Sequence, residues 1–196
     1  MLRSLVGSDM CIRDRPCTLY CLYLLHLSAI ILFNANISEK QGGLHMCGFA
    51  GFTGYLENGK DVLTNMMNRI VHRGPDSAGQ YIDDKAYMGF RRLSIIDLDN
   101  GSQPMFNEDK KIVITFNGEI YNHQELRKEL IEKGHIFANN SDTEVLIHAY
   151  EEYGEDMLNK LRGMFAFVIW DSAKETIFAA RDYFCLLYTS PSPRDS

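Results

Sequence analysis

The stretch Met46, Cys47 and Gly48 is the part of the sequence best suited to covalent chemistry. Removal of Met46 would leave Cys47 as an N-terminal residue with a free α-amine, whose reference pKa is about 8. That amine could take the proton of its own thiol, so that one residue supplies nucleophile and base. Gly48 would let a substrate approach the backbone closely. By itself, the spacing also fits an ordinary start followed by a small buried thiol.

The other cysteines suggest no second chemistry. The chain has five, at positions 11, 17, 21, 47 and 185, and only Cys47 lies in the long regular middle of the sequence. Cys17 and Cys21 have helical spacing but no His or Cys pair at metal-ligand distance, so we predict no zinc site. The odd count argues against a disulfide framework and favours a reducing compartment, which predicts a cytoplasmic protein.

Bulk composition narrows the function classes. The chain has 196 residues, 45% of them hydrophobic and 23% charged, as expected for one globular domain with an extension. Its net charge of −6 argues against a nucleic-acid partner held by phosphate contacts. The most apolar run, residues 17–33, is interrupted by His26, so we predict no membrane association.

The elements that must position Cys47 are strands and three helices. Strands are predicted in "CGFAGFTGY", "AGQYID", "AYMGFRRLSII" and "KIVITFNG", and a hairpin in "MFAFVIW" and "TIFAARD". Apolar residues at helical spacing predict the first helix over 61–71.

Capping signals mark the other two helices. The second runs from an N-cap at Asn122, with Glu125 at the capping-box position, to Gly134. The third runs from Ser141, with Glu144 three residues on, to Gly154.

Six motifs in order carry a family resemblance: "MCGFAGF", "HRGPDSAG", "RRLSIIDL", "NGEIYNHQELR", "SDTEV" and "GMFAFVIWD". Together they resemble the class-II glutamine amidotransferase domain of bacterial-type, glutamine-hydrolysing asparagine synthetases, across residues 46–184. The resemblance implies an α+β fold, the four-layer αββα N-terminal-nucleophile (Ntn) hydrolase fold. We expect it to be incomplete at the C-terminus, because the chain departs from the family after "RDYF".

The resemblance also implies site residues. Cys47 is the expected nucleophile, and Asn117 with the Gly118 N–H the expected oxyanion hole, although "NG" can also signal a turn. Arg92 is expected to clamp the α-carboxylate of glutamine. Neighbouring residues of a strand face opposite sides, so Arg91 is expected to be a solvated charge. The remaining glutamine-binding residues are expected to be Leu93, Ser94, Ile95, Ile96, Glu119 and Asp142, the last paired with the α-ammonium, although Asp142 could also be a helix-start residue.

The remaining motif and histidines are interpreted without catalytic roles. "HRGPD" also fits a helix end, a Gly-Pro turn and a loop, and His72 is not expected to be the base because the N-terminal amine fills that role. His123, His135 and His148 lack a spacing that suggests metal binding, so they are interpreted as ordinary helix or surface residues.

The implied function is hydrolysis of glutamine to glutamate and ammonia, which passes to a C-terminal synthetase domain for ATP-dependent amidation of aspartate. ATP and Mg²⁺ would belong to that domain, which this chain lacks, and no cofactor is expected here. The full-length protein could be a homodimer. We expect the chain by itself to be inactive, because Cys47 is not at position 2.

Three alternatives stay open. The domain could serve another ammonia acceptor, although "FRRLSII" differs from the His-Thr-Arg-Trp pattern of sugar-phosphate amidotransferases. The chain could be a non-catalytic membrane-anchored protein that uses residues 17–33 as its anchor. It could also be an incomplete domain with open sheet edges that does not fold.

Both ends resemble translated sequencing adapter. A coding sequence for 185–195 has a reverse complement that translates as LVGSEMCIRD, and residues 5–14 read LVGSDMCIRD. "KQGGLH" before Met46 can be encoded with AAGGAGG, which resembles a bacterial ribosome-binding site. We therefore interpret 1–15 and 185–196 as adapter-derived, 16–45 as a translated leader and 46–184 as the amidotransferase domain.

Overall fold

A computed structural model describes residues 30–32, 47–93 and 102–182. The remaining residues lie outside the described part. The interpretation of both ends, the removal of Met46 and the predicted site residues Ser94, Ile95 and Ile96 therefore stay predictions.

Two four-stranded antiparallel sheets form the centre of the molecule. The first has the order β1-β2-β4-β3, with β1 at Ile30–Leu32, β2 at Gly48–Thr53, β3 at Ser77–Ile82 and β4 at Ala86–Arg92. The second has the order β5-β6-β7-β8, with β5 at Met105–Phe106, β6 at Ile112–Ile120, β7 at Gly163–Asp171 and β8 at Thr176–Arg181.

Helices cover the outer faces of both sheets. Helix α1 (Gly59–Arg69) packs on the first sheet, while α2 (His123–Glu132), α3 (Asp142–Tyr153) and a 3₁₀ helix (Gly154–Asn159) belong to the second half. In α1, Leu63 and Met67 contact Phe52 and Tyr87 of the first sheet. On the second sheet, a larger cluster joins its outer face to α2 and α3.

Side-chain alternation along the strands creates the layer between the sheets. On β4, Met88 and Phe90 point toward the second sheet, whereas Tyr87 points toward α1. They meet Val113 of β6 and Val168 of β7 in one buried cluster. The resulting order is helix, sheet, sheet, helix, which confirms the predicted α+β four-layer arrangement.

The capping interactions differ in detail from those predicted. Ser141 caps α3 by accepting the Glu144 N–H at 3.3 Å, as expected. The Glu144 carboxylate does not complete a capping box and instead accepts the N–H groups of Ala138 and Asn139 at 2.7 and 2.9 Å. Asn122 precedes α2 without a side-chain cap bond, because its amide is bonded to the segment before β7.

Element boundaries mostly agree with the sequence patterns. Helix α1 begins and ends two residues earlier than predicted, and β6 continues two residues beyond Gly118 to Ile120. The short strand β5 and the 3₁₀ helix were not predicted, because neither is long enough to show a period. Helix α2 ends before Gly134, whose φ of +101° suits glycine at that position.

Two further observations bear on the region before Met46 and on membranes. β1, which lies in the stretch interpreted as a leader, pairs with β2 so that Ile31 is opposite Gly51. Among the described residues, no helix is long and apolar enough to span a membrane.

Candidate active site

Cys47 lies directly before β2 and is half-buried against the cluster between the sheets. Its sulfur contacts the end of β4, because the Leu93 N–H donates to Sγ at 3.3 Å and the thiol points at the Leu93 carbonyl at 3.7 Å. The pairing of Gly48 with Arg91 in the β2–β4 register places these two chain segments side by side. The structure thus brings together Cys47 and Leu93, two of the predicted site residues.

Arg73 is a site residue that the sequence analysis missed. Its Nε–H donates to the Cys47 carbonyl at 3.2 Å, and the residue is only 5% exposed. Burial lowers the pKa of the Arg73 guanidinium, and the nearby Cys47 raises it in part. A Cβ on Gly48 would lie 3.2 Å from Arg73 Cδ and Nε, so glycine at 48 also makes room for this arginine.

Gly74 explains why the "HRGPD" motif can lie so close to Cys47. A Cβ at Gly74 would come within 2.5 Å of the Arg91 carbonyl oxygen, so only glycine allows this segment to cross the backbone of β4. The interpretation of the motif as a helix end and turn was therefore incomplete. The sequence feature that could have indicated a site role is Arg73 itself, a long charged side chain within a turn-forming stretch.

Asn117 and Gly118 lie inside β6 rather than in a turn. The β6–β7 register runs on past them, pairing Gly118 with Phe165 and Ile120 with Gly163, which excludes the hairpin-turn alternative. Asn117 lies four residues after Val113 on β6, so both side chains point to the same face of the sheet. That face is turned toward the first sheet, where Cys47 packs. The predicted nucleophile and the predicted oxyanion residue therefore border the same layer.

The conformation of Gly118 requires glycine. Its φ is +146°, and a Cβ would meet the Met164 carbonyl oxygen and come within 2.6 Å of Phe165 Cα. The strand can take this conformation only with a residue that has no side chain.

Arg91 and Arg92 face opposite sides of β4, as predicted. Arg91 donates from Nε to the Met67 carbonyl at 3.3 Å and from a terminal nitrogen to Asn68 Oδ1 at 2.9 Å, so it binds the C-terminal end of α1. The expectation of a purely solvated charge was wrong for this residue. Arg92 shares its face with Phe90 and therefore lies on the side of the candidate site.

Asp142 connects the start of α3 to the end of β6. Its Oδ2 accepts the Ile120 N–H at 3.1 Å, which places the carboxylate beside the strand that carries Asn117 and the exposed Glu119. Burial raises the pKa of Asp142, opposed by the Ile120 hydrogen bond and the nearby His123. Asp142 forms no ion pair with Lys or Arg within the described ranges, an arrangement suited to a ligand ammonium group.

The three histidines of the C-terminal half have different environments. His123 lies at the start of α2, where its Nδ1 is 2.8 Å from the Ile120 carbonyl oxygen. His148 is a helix residue, as expected, but it is 2% exposed rather than on the surface. Its Nδ1 lies 3.3 Å from His135 Nδ1, a contact that the 13-residue separation did not suggest.

Comparison with known proteins agrees with this architecture. Residues 46–190 match the sequence profile of the family described as glutamine amidotransferase domain. The chain is 49% identical over 144 residues to asparagine synthetase [glutamine-hydrolyzing] 1 of Bacillus subtilis. The aligned region covers 71% of this chain and 23% of that relative. It is 44% identical over 148 residues to the asparagine synthetase [glutamine-hydrolyzing] of Zea mays. Here the aligned region covers 73% of this chain and 25% of that relative.

The chain therefore spans about a quarter of the length of the curated relatives it matches. A similar solved structure is the glutamine phosphoribosylpyrophosphate amidotransferase of B. subtilis, with a TM-score of 0.53 and 23% identity over 65% of this chain and 35% of that chain. That likeness supports the fold, the four-layer Ntn-hydrolase arrangement of the amidotransferases. From the family match and this fold together, the chain belongs to the glutamine amidotransferase domain family.

Proposed function

We propose that this domain hydrolyses glutamine to glutamate and ammonia, with Cys47 as the nucleophile. The observation that carries the proposal is the position of Cys47, half-buried at the face between the sheets and held by Leu93 and Arg73. The thiol attacks the side-chain amide carbon, its proton passes by way of the Cys47 α-amine to the leaving nitrogen, and ammonia departs. Water then hydrolyses the thioester and releases glutamate.

The predicted substrate residues have complementary chemistry. The Asn117 side-chain amide and the Gly118 N–H stabilise the negative charge that develops on the amide oxygen. Arg92 binds the α-carboxylate as a bidentate partner. Asp142, with Glu119 nearby, binds the α-ammonium, and this ligand cation offsets the burial of the Asp142 carboxylate.

We further propose that aspartate is the final ammonia acceptor. The domain is then part of a longer cytoplasmic protein, which forms a homodimer and whose synthetase domain binds ATP and Mg²⁺. The relatives, which are asparagine synthetases, and the "RRLSII" motif support this acceptor. The test uses the longer protein with Cys47→Ala. We expect glutamine-dependent asparagine formation to be lost, while formation from added ammonium salt continues at the wild-type rate.

Equal loss of both activities would contradict the role of Cys47. Wild-type protein that hydrolyses glutamine but amidates an acceptor other than aspartate would contradict the acceptor alone. Mass spectrometry of the N-terminus of the native protein is a separate check, because the proposed base requires a chain that begins at Cys47. A chain that retains Met46 and is fully active would exclude the α-amine as the base.

A further inference from the structure

A cluster of nitrogen and oxygen ligands lies between α2 and α3, on the outer side of the second half of the molecule. His148 and Glu151 are three residues apart on α3, so they share a helix face, and His135 follows the C-terminal end of α2. His135 Nδ1 lies 3.3 Å from His148 Nδ1. Glu151 Oε2 lies 2.8 Å from His148 Nδ1 and 3.7 Å from His135 Nδ1.

These three atoms have the spacing of ligands around one tetrahedral ion. With metal–ligand bonds of about 2.0–2.1 Å, neighbouring ligand atoms of a tetrahedral zinc ion lie about 3.3–3.4 Å apart. The observed separations of 2.8, 3.3 and 3.7 Å bracket that value. An ion at equal distance from the three atoms therefore needs only small shifts of the side chains.

The other nitrogen of each ring faces a carboxylate. His135 Nε2 lies 3.4 Å from Glu152 Oε2, and His148 Nε2 lies 3.8 Å from Glu108 Oε1 and 4.0 Å from Glu144 Oε1. Metal-binding histidines typically donate their second N–H to such a carboxylate, which leaves the first nitrogen unprotonated for the ion. His135 has such a partner within hydrogen-bond distance, and the carboxylates near His148 Nε2 favour the same orientation by their charge.

The glutamate is oriented in the same way. Asn107 Nδ2 donates to Glu151 Oε1 at 2.8 Å, which leaves Oε2 directed at the two histidines. The Phe137 ring packs edge-on against His148, with centroids 4.5 Å apart, and limits its rotation. The side chains of His135 and Glu151 are 17% and 22% exposed, so one side of the cluster is open to solvent and to an incoming ion.

We propose that His135, His148 and Glu151 form a zinc-binding site, with Nδ1 of each histidine and one carboxylate oxygen as ligands and water in the fourth position. Two imidazoles and a carboxylate suit zinc better than Mg²⁺ or Ca²⁺, which prefer oxygen ligands. In the metal-free chain His148 Nδ1 and Glu151 Oε2 form a hydrogen bond at 2.8 Å, and the ion replaces that bond by ligating both atoms. The ion ties the segment after α2 to α3.

The test is a calorimetric zinc titration of the metal-stripped 196-residue chain, compared with its His135→Gln and Glu151→Gln variants. Both substituted side chains are partly exposed, so the variants are expected to fold. We expect the wild type to bind with a dissociation constant below about 10 μM. Each variant should lose one equivalent of zinc or bind it at least about 10-fold more weakly, because a ligand is missing.

The matched control is His72→Gln, which removes an exposed histidine outside the cluster and should leave the titration unchanged. A second readout is the near-ultraviolet and visible absorption spectrum with Co²⁺, where nitrogen and oxygen ligation gives no thiolate charge-transfer band and so distinguishes this site from the cysteines. Absence of wild-type binding at this affinity, unaltered binding in His135→Gln and Glu151→Gln, or a thiolate band that accounts for all of the bound Co²⁺ would overturn the proposal.

Discussion

At the scale of single residues, Asp142 is the clearest case in which stability and binding are opposed. Its carboxylate is partly removed from water at the start of α3, and burial raises its pKa even though the Ile120 N–H and His123 favour the ionised form. The ionised carboxylate therefore costs folding free energy in the ligand-free domain. An α-ammonium group on a bound substrate would offset that cost.

Asp142→Asn is expected to raise the melting temperature at neutral pH while weakening glutamine use. The folded-state pKa of Asp142 lies above its unfolded value, so its stabilising effect is present at low pH and is lost as pH rises through the raised value. The melting temperatures of wild type and variant should therefore diverge above that pH, and their difference should be constant well below it. Thermal unfolding across pH measures this. For glutamine, kcat/KM should fall about 30-fold or more, as expected when one partner of a buried ion pair is lost.

Asp61→Asn is the matched control, because Asp61 lies in the first turn of α1 but is exposed. It should be neutral or slightly destabilising, since only a favourable interaction with the helix dipole is lost. A melting temperature for Asp142→Asn that is lower than that of wild type at every pH would contradict the interpretation.

At the scale of elements, β6 carries the proposed oxyanion residues, and its pairing with β7 depends on Gly118. Gly118→Ala is expected to destabilise the domain by more than 1 kcal/mol, because the new Cβ is strained at a φ of +146° and also meets the backbone of β7. Chemical denaturation measures the change. Glutamine hydrolysis should fall as well, since the N–H at Gly118 shifts.

Gly134→Ala is the control that separates the two effects. Gly134 also has positive φ, at +101°, but an added Cβ would meet nothing within 4 Å. It should therefore show the conformational cost alone, about 1 kcal/mol. Equal losses of unfolding free energy in Gly118→Ala and Gly134→Ala would mean that the contact with β7 contributes nothing to the destabilisation.

The start of α3 shows which hydrogen bonds local sequence can predict and which it cannot. Ser141 and Glu144 predicted the start of α3 correctly, because an N-cap bond depends on neighbours within three residues. The Glu144 side chain bonds Ala138 and Asn139 instead of the cap residue, since the preceding segment folds back over the helix start. No local pattern distinguishes those two uses of the same carboxylate.

At the scale of the whole molecule, Asp83 joins the two sheets. Its Oδ2 accepts the Trp170 Nε1–H of β7 at 2.7 Å and the Tyr81 hydroxyl at 2.6 Å. Its Oδ1 accepts the Lys85 and Ala86 N–H groups at 2.7 and 2.5 Å. Burial and the hydrogen bond to Asp83 raise the pKa of Tyr81. One carboxylate thus closes the β3–β4 turn and ties it to the opposite sheet.

Asp83→Ala is expected to lower the free energy of unfolding by about 2–4 kcal/mol, because it leaves the Trp170 and Tyr81 donors without their charged acceptor. Urea denaturation followed by Trp170 fluorescence measures this. Asp84→Ala, at the exposed neighbouring position, should change stability by less than about 0.5 kcal/mol. Similar losses in the two variants would mean that the turn alone, and not the link between sheets, matters.

The sequence by itself determined the three α-helices and most of the strands, and it predicted Cys47 as the nucleophile. Alternation and helical spacing are local properties, and the motif around Cys47 is contiguous. These predictions needed no knowledge of how the elements pack.

Only the tertiary structure decided which distant side chains meet. Arg73 contacts Cys47 across 26 residues, His135 lies beside His148, and Asp83 reaches Trp170 across 87 residues. Each contact depends on how sheets and helices pack against one another, which hydrophobic burial drives without regard to sequence separation. Residue type could suggest these side chains as candidates, but their partners follow from the packing.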